Sequence, residues 1–271
     1  MDINRAVIVI IILFISGFLY NKLQIKIESR DKLDELDIIK RYFLNEQDDN
    51  YIDKLNRIKL PILWVHIDYN KNSRNWSSFM GRSSNNINQD YLYLTIRSII
   101  NSCGKDFHIC LIDNQSFNKL LDNYKVDFNV LSEPSKSYTK TLGIMKLLEK
   151  YGGLYIENSF VVSKSLLPIY QNIKLTNRPV TAEFINKSIN ADTTQYCPSI
   201  KFYGCDKNCT VTHSIINSLM IITSNDYTNQ SVVENNFNNI ILKYVKSDKM
   251  DCVDGKYIGT RDVNNKTIDI S

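Results

Sequence analysis

The sequence predicts an α/β domain, a β-sheet with helices on its faces, behind one N-terminal transmembrane helix. Three observations predict it. From Leu60 onward, short apolar β-type runs alternate with amphipathic helical stretches. One of those stretches ends in Lys150-Tyr151-Gly152-Gly153 and turns straight into a β-rich run. An unbroken apolar run, Ala6–Tyr20, stands near the start of the chain.

That first run is 15 residues long. A helix that crosses a bilayer needs about 20 residues, with a lower limit near 17. Extension to Leu23 approaches that length, with Lys22 able to reach the interface. Large residues follow Gly17 and no small-residue cleavage site is present, so a membrane anchor over residues 1–23 is favoured over a signal peptide. The expected localisation is therefore a membrane, single-pass. Lys22, Lys26, Arg30 and Lys32 follow the run and Arg5 precedes it; taken literally, the positive-inside rule places the remainder on the cytoplasmic side, but the sequence leaves the side of the membrane open. Residues 24–59 read as a helical stem, with Leu33, Leu36, Ile39 and Phe43 at helical spacing. Residues 60–271 form the expected globular domain.

Within that domain, Pro61–Ile67 reads as a buried strand and residues 70–89 as a long polar loop carrying Lys71, Arg74 and Arg82. Asp90–Cys103 has Leu92, Ile96, Ile99 and Cys103 on one face and is stopped by Gly104, which predicts a helix. Phe107–Ile112 is a second strand, Ser116–Asp122 a short helix and Val126–Leu131 a third strand. Tyr138–Lys150 is a helix with Tyr138, Leu142, Met145 and Leu148 along one stripe. Leu154–Val162 is then a strand and Lys164–Gln171 a short helix. Further on, Val180–Phe184 reads as a strand and Tyr196–Cys209 as a loop. His213–Thr223 suits helix or strand, Val232–Tyr244 a helix, and Asp251–Ile270 short β-type pieces.

The net charge is +4, with lysines and acids interspersed. A nucleic-acid surface needs Lys and Arg clustered on one face. No such block exists here, so no nucleic-acid partner is expected. Six cysteines permit disulfides, but a chain of 271 residues does not require them. Cys205-x₃-Cys209-x₃-His213 offers soft ligands without the usual C-x₂-C spacing of a zinc site, and buried thiols are the stronger reading.

The chemistry is concentrated between Leu60 and Ile169. The strand–helix–strand order there, with the run Leu147–Tyr155 (LLEKYGGLY), resembles glycosyltransferases with a DXD-type sugar-binding region. These are relatives of the initiating mannosyltransferases and capsular-polysaccharide enzymes, and the resemblance extends to a large-DNA-virus type. It implies a type-A glycosyltransferase-like fold, a Rossmann-like mixed sheet with flanking helices. It also implies a nucleotide-sugar donor, a glycan acceptor, and Mn²⁺ or Mg²⁺ held by two acids against the donor diphosphate. The acid pair falls on Glu157-Asn158-Ser159 in this chain, which leaves Glu157 as the one carboxylate for metal. The places of a Ser-Asp pair and an Arg on the preceding helix fall on Lys140-Thr141 and Ile144.

The resemblance, taken with strand ends, marks Trp64, Asp113, Gly152, Gly153, Tyr155 and Glu157 as the candidate substrate-binding residues. Trp64 suits either a ring stacked on a base or, as is usual for its bulk, a core position. Asp113 stands at a strand's carboxyl end, where ligands of α/β sheets bind, and also suits an ordinary Asp-Asn turn. Glu183 suits a replacement acid or a surface carboxylate. Loss of three polar elements on a retained scaffold favours a degenerate, non-catalytic protein that binds at a membrane or virion, with membrane or virion proteins as partners. The alternative is an active nucleotide-sugar-dependent transferase with Glu-Asn-Ser in place of Asp-x-Asp.

Overall fold

The computed structural model describes residues 13–23, 42, 55, 57–67, 90–122, 124–186, 196–224 and 230–268. Two units are distinguished, Met1–Phe43 and Leu44–Ser271. In the first, residues 13–23 are helical. Among the described residues no helix is long and apolar enough to cross a membrane. This overturns the transmembrane helix in the expected fold class and the expected single-pass membrane localisation. Residues 1–12, most of the stem at 24–59 and the loop at 70–89 lie outside the described residues.

The second unit is a mixed α/β fold. Its strands are β1 (Ile62–His66), β2 (His108–Ile112), β3 (Gly153–Glu157), β4 (Val180–Ile185), β5 (Tyr196–Cys205) and β6 (Asp251–Val253). Its helices are α1 (Asp90–Cys103), α2 (Ser116–Leu120), α3 (Ser135–Tyr151), α4 (Leu167–Thr176), α5 (Thr210–Thr223), α6 (Gln230–Lys246) and α7 (Gly255–Ile258). They form one six-stranded sheet in the order β2-β1-β3-β5-β4-β6. β1 is parallel to β2 and β3, whereas β5 runs antiparallel to β3 and β4.

Side-chain alternation divides the sheet into two buried faces. Register places Cys110, Trp64, Tyr155 and Tyr203 side by side across β2, β1, β3 and β5. This row joins one core cluster with Tyr138, Met145 and Leu148 of α3, Ile215 and Leu219 of α5, and Phe237 and Ile241 of α6. The alternate residues Leu63, Val65, Leu154 and Ile156 are buried on the other face. Beyond β3, the Val162 amide donates to Ser98 Oγ, and Ser102 Oγ donates to Val162 O. Those bonds tie α1 to the segment that follows β3.

The two glycines between α3 and β3 have distinct steric roles. Gly152, at φ +71°, caps the helix, and its amide donates to Leu148 O. Gly153, at φ +107°, lies so close to β1 that a Cβ would stand 2.2 Å from Ile62 O. The close approach of β3 to β1 therefore depends on the absence of a side chain there.

Three sequence expectations are corrected. Val126–Leu131 is coil and turn rather than a strand. Its backbone is bound locally: Asn118 Oδ1 accepts from Val126 N, Asn118 Nδ2 donates to Val126 O, and Asp127 Oδ1 accepts from Asn129 N. Such side-chain bonds compete with a ladder. Tyr196–Cys209, expected as a loop, supplies β5, the antiparallel strand held between β3 and β4. Pro198 and Gly204 disguise it, although Gly204 is needed there because a Cβ would meet Leu154 Cδ2 at 2.1 Å. The third strand starts one residue early and ends at Glu157, where Phe160 N donates to Glu157 O in a turn.

Candidate functional site

In an open sheet, ligands bind beyond the carboxyl ends of parallel strands, where neighbouring connections leave in opposite directions. Here β1 is followed by β2 on one side, and β3 pairs on its other side. The switch point therefore lies between β1 and β3. Register pairs their last residues, His66 with Glu157. Continuing the register that pairs Ile156 with Phe202 sets Glu157 opposite Lys201 of β5. The side chains confirm this, with Lys201 Nζ lying 3.5 Å from Glu157 Oε2.

An imidazole, a carboxylate and an ammonium thus stand in one row across three adjacent strands. The row lies two residues along from the apolar row of Trp64, Tyr155 and Tyr203, so both point to the same face. Of the apolar row only Tyr155 reaches the cavity, and the polar row makes its rim. Above them opens a cavity of about 820 Å³. Ser137, Lys140, Thr141 and Ile144 of α3 line it on one side, and Phe237 and Asn238 of α6 also contribute. Ser199, Ile200 and Lys201 all line it, although a regular strand would turn alternate residues away. The register shift between β4 and β5 at Thr181/Ala182 is of the kind that re-aims side chains beside binding sites.

The cavity is electrostatically mixed. Lys140, Lys201 and Glu157 line it, giving these three a formal sum of +1. Glu157 Oε2 also accepts from Ser159 Oγ at 3.0 Å. His66 is buried, stacks on Phe117 with ring centroids 5.8 Å apart, and has Nε2 2.9 Å from Asn114 Oδ1. Burial raises the Tyr155 phenol well above its ordinary range, with nearby Glu157 adding to the effect. The Cys197 thiol in the wall is pushed up to about 11, chiefly by burial and then by the Glu183 charge. It is therefore held as a neutral thiol at physiological pH, a poor nucleophile.

The structure separates the sequence-derived candidates. Tyr155 and Glu157 line the cavity. Trp64 does not: it is 1% exposed, and its indole N–H donates to Gly152 O at 3.0 Å. Gly152 and Gly153 support β3 through the backbone. Asp113 Oδ1 accepts from Gln115 N, Ser116 N and Ser116 Oγ, so it closes the turn into α2. Glu183 accepts from Arg261 Nη2 at 2.6 Å and from Gly255 N at 3.3 Å, an anchor for the C-terminal segment.

Sequence reasoning missed His66 and Lys201 as site residues. His66 carried a signal, as the last residue of a strand whose inward row it continues. Lys201 carried none once its strand was read as a loop. Lys140 and Thr141 stood out only as replacements for other residues.

The donor set is a weak fit to the divalent cation that the motif resemblance implies. Mg²⁺ or Mn²⁺ is held by oxygen ligands, commonly with one or two carboxylates from the protein. The rim offers one, Glu157, and an ammonium already faces it. Among the described residues no group of three or more His, Cys, Asp or Glu is placed to hold a metal. All six cysteines are free thiols. Cys205 is fully buried, with Sγ donating to Leu148 O, while His213 is exposed and pairs with Glu149 at 2.5 Å, so the Cys-Cys-His spacing forms no cluster.

No protein-family model matches the chain, and no curated protein matches it. Among solved structures it is similar to one described as "PaToxG Glycosyltransferase". The two share 12% identity and a TM-score of 0.41, with 80% of this chain and 81% of that chain covered. A likeness at this level does not establish a family.

Proposed function

We propose that residues 60–271 are a glycosyltransferase-like binding domain whose switch-point cavity holds a sugar nucleotide without transferring the sugar. The observation that carries this reading is the rim itself. It presents a single carboxylate, Glu157, at the place of an acid pair, and that carboxylate faces Lys201. The mixed sheet, the Leu147–Tyr155 run and a cavity of about 820 Å³ support the ligand class. Cavities of about 300–1,000 Å³ suit ligands of this size. Membrane and virion partners lose their basis with the anchor and form no part of the proposal.

A second reading is favoured by one observation. Glu157 is 36% exposed at the rim and in register with His66, a placement suited to a general base. In that reading the chain is an active transferase that moves a sugar to a glycan acceptor.

The test of binding is the melting temperature of the full chain against a panel of UDP- and GDP-sugars. A ligand at 100 times its Kd stabilises the folded state by about 2.7 kcal/mol. Stabilisation by one sugar nucleotide, and not by the free sugar, is the expected result. A well-folded sample that no sugar nucleotide stabilises would overturn the reading.

A further inference from the structure

We propose that Lys201, assisted by Lys140, is the counter-charge for the diphosphate of the bound nucleotide, so that binding needs no divalent cation. The inference rests on the sugar-nucleotide reading of the cavity and names the residues that recognise its charged part.

The starting point is the weak fit to a divalent cation at Glu157. A diphosphate entering the switch point brings negative charge against a carboxylate, and it needs a compensating cation. The cation already at that carboxylate is Lys201 Nζ, at 3.5 Å. An ammonium has three donors, and this separation is longer than the usual charge-assisted hydrogen bond. The Lys201 side chain is 56% exposed, so its pairing with Glu157 is a weak, solvent-screened surface ion pair. A phosphate arriving at the rim therefore recruits the ammonium at little cost.

Lys140 adds a second, independent ammonium. It lies on α3, on a different element of the same cavity. By the motif resemblance Lys140 and Thr141 stand at the places of a Ser-Asp pair, so the wall carries an ammonium at the place of the Ser and no carboxylate at that of the Asp. Together the two lysines outweigh Glu157 and give the cavity the sign that a diphosphate requires. Nearby neutral donors, Ser137, Ser199 and Asn238, line the same space and can bond the non-bridging oxygens.

The experiment is calorimetric titration of the full chain in EDTA with two probes, inorganic pyrophosphate and the UDP- or GDP-sugar that stabilises it most. Wild type is compared with Lys201→Gln, Lys201→Arg and Lys140→Gln, each checked for an unchanged circular dichroism melt. Both probes are expected to bind in EDTA. Lys201→Gln should weaken each about tenfold or more, Lys140→Gln by less, and Lys201→Arg should retain most of the affinity. Binding of the sugar nucleotide that appears only with Mn²⁺ would overturn the inference. So would equal affinity in wild type, Lys201→Gln and Lys140→Gln, or no binding of either probe. Pyrophosphate binding in EDTA that is lost in Lys201→Gln, with no sugar nucleotide bound, would uphold the counter-charge and defeat the sugar-nucleotide reading.

Discussion

The indole N–H of Trp64 donates to the carbonyl oxygen of Gly152 at 3.0 Å, across 88 positions of sequence. This bond joins the middle of β1 to the cap of α3. Trp64 and its register partner Tyr155 stand two residues before His66 and Glu157 on the same face of the sheet. Of the two readings that the sequence left for Trp64, a ring stacked on a base or a core position, its place in the buried core cluster agrees with the second.

Trp64→Phe should therefore destabilise the fold and leave ligand binding nearly intact. The substitution keeps most of the apolar burial but strips a buried carbonyl of its donor, a cost of about 1–3 kcal/mol. Urea denaturation measures the first effect and a sugar-nucleotide melt the second. Loss of ligand stabilisation with unchanged stability would place Trp64 in the site.

Gly153→Ala is expected to be among the most damaging single changes. It forces an alanine to φ +107° and drives a Cβ to within 2.2 Å of Ile62 O. Backbone strain alone costs about 1–3 kcal/mol, and the clash adds to it. Chemical denaturation should show a loss of about 3 kcal/mol or more. Gly152→Ala, with its Cβ 2.9 Å from Lys207 N, is expected to be destabilising but less so.

The C-terminal segment is held by Glu183 and Arg261, whose guanidinium also lies 3.7 Å over the Tyr196 ring. Their side chains are 23% and 20% exposed. Glu183→Gln should lower stability by about 1–3 kcal/mol, between the values of exposed and buried pairs. Because Gly259, Thr260 and Ile268 line the cavity, it should also weaken ligand binding. Limited proteolysis with mass spectrometry reads the release of the segment directly. Unchanged cleavage there would contradict the anchor.

Burial raises the folded-state thiol of Cys197 to about 11 and that of Cys205 to about 12, against an ordinary value of 9.0. Between pH 9 and these values the unfolded chain loses protons that the folded chain keeps. Stability should therefore fall as pH rises through this window. Thermal melts at pH 8 and pH 10.5 check the direction. The double variant Cys197→Ala, Cys205→Ala should show a shallower fall.

Much of the sheet's first half was legible because its signals are local. Ile62–His66 and His108–Ile112 are short apolar runs, and α1 has a clear stripe with Gly104 behind it. The second half was not. β5 carries Pro198, Lys201 and Gly204, each a poor strand residue alone. It is a strand because two neighbours cover its edges, a tertiary fact that propensity does not carry. That misreading concealed Lys201, and hence the ion pair that defines the rim. Val126–Leu131 failed in the opposite sense, since Asn118 binds its backbone from a distance in sequence that no alternation pattern registers. Glu157 was marked by the motif alone, since its strand was read on to Val162. Asp113 stood at a suggestive strand end, yet its carboxylate closes a turn.

The central claim is that the cavity binds a sugar nucleotide and does not turn it over. The most direct measurement is release of nucleoside diphosphate from each UDP- and GDP-sugar over several hours, by wild type and by Glu157→Gln. The account predicts no release by wild type above that of Glu157→Gln, from samples that the same ligand stabilises. Release by wild type that disappears in Glu157→Gln would contradict it and identify Glu157 as the base of an active transferase.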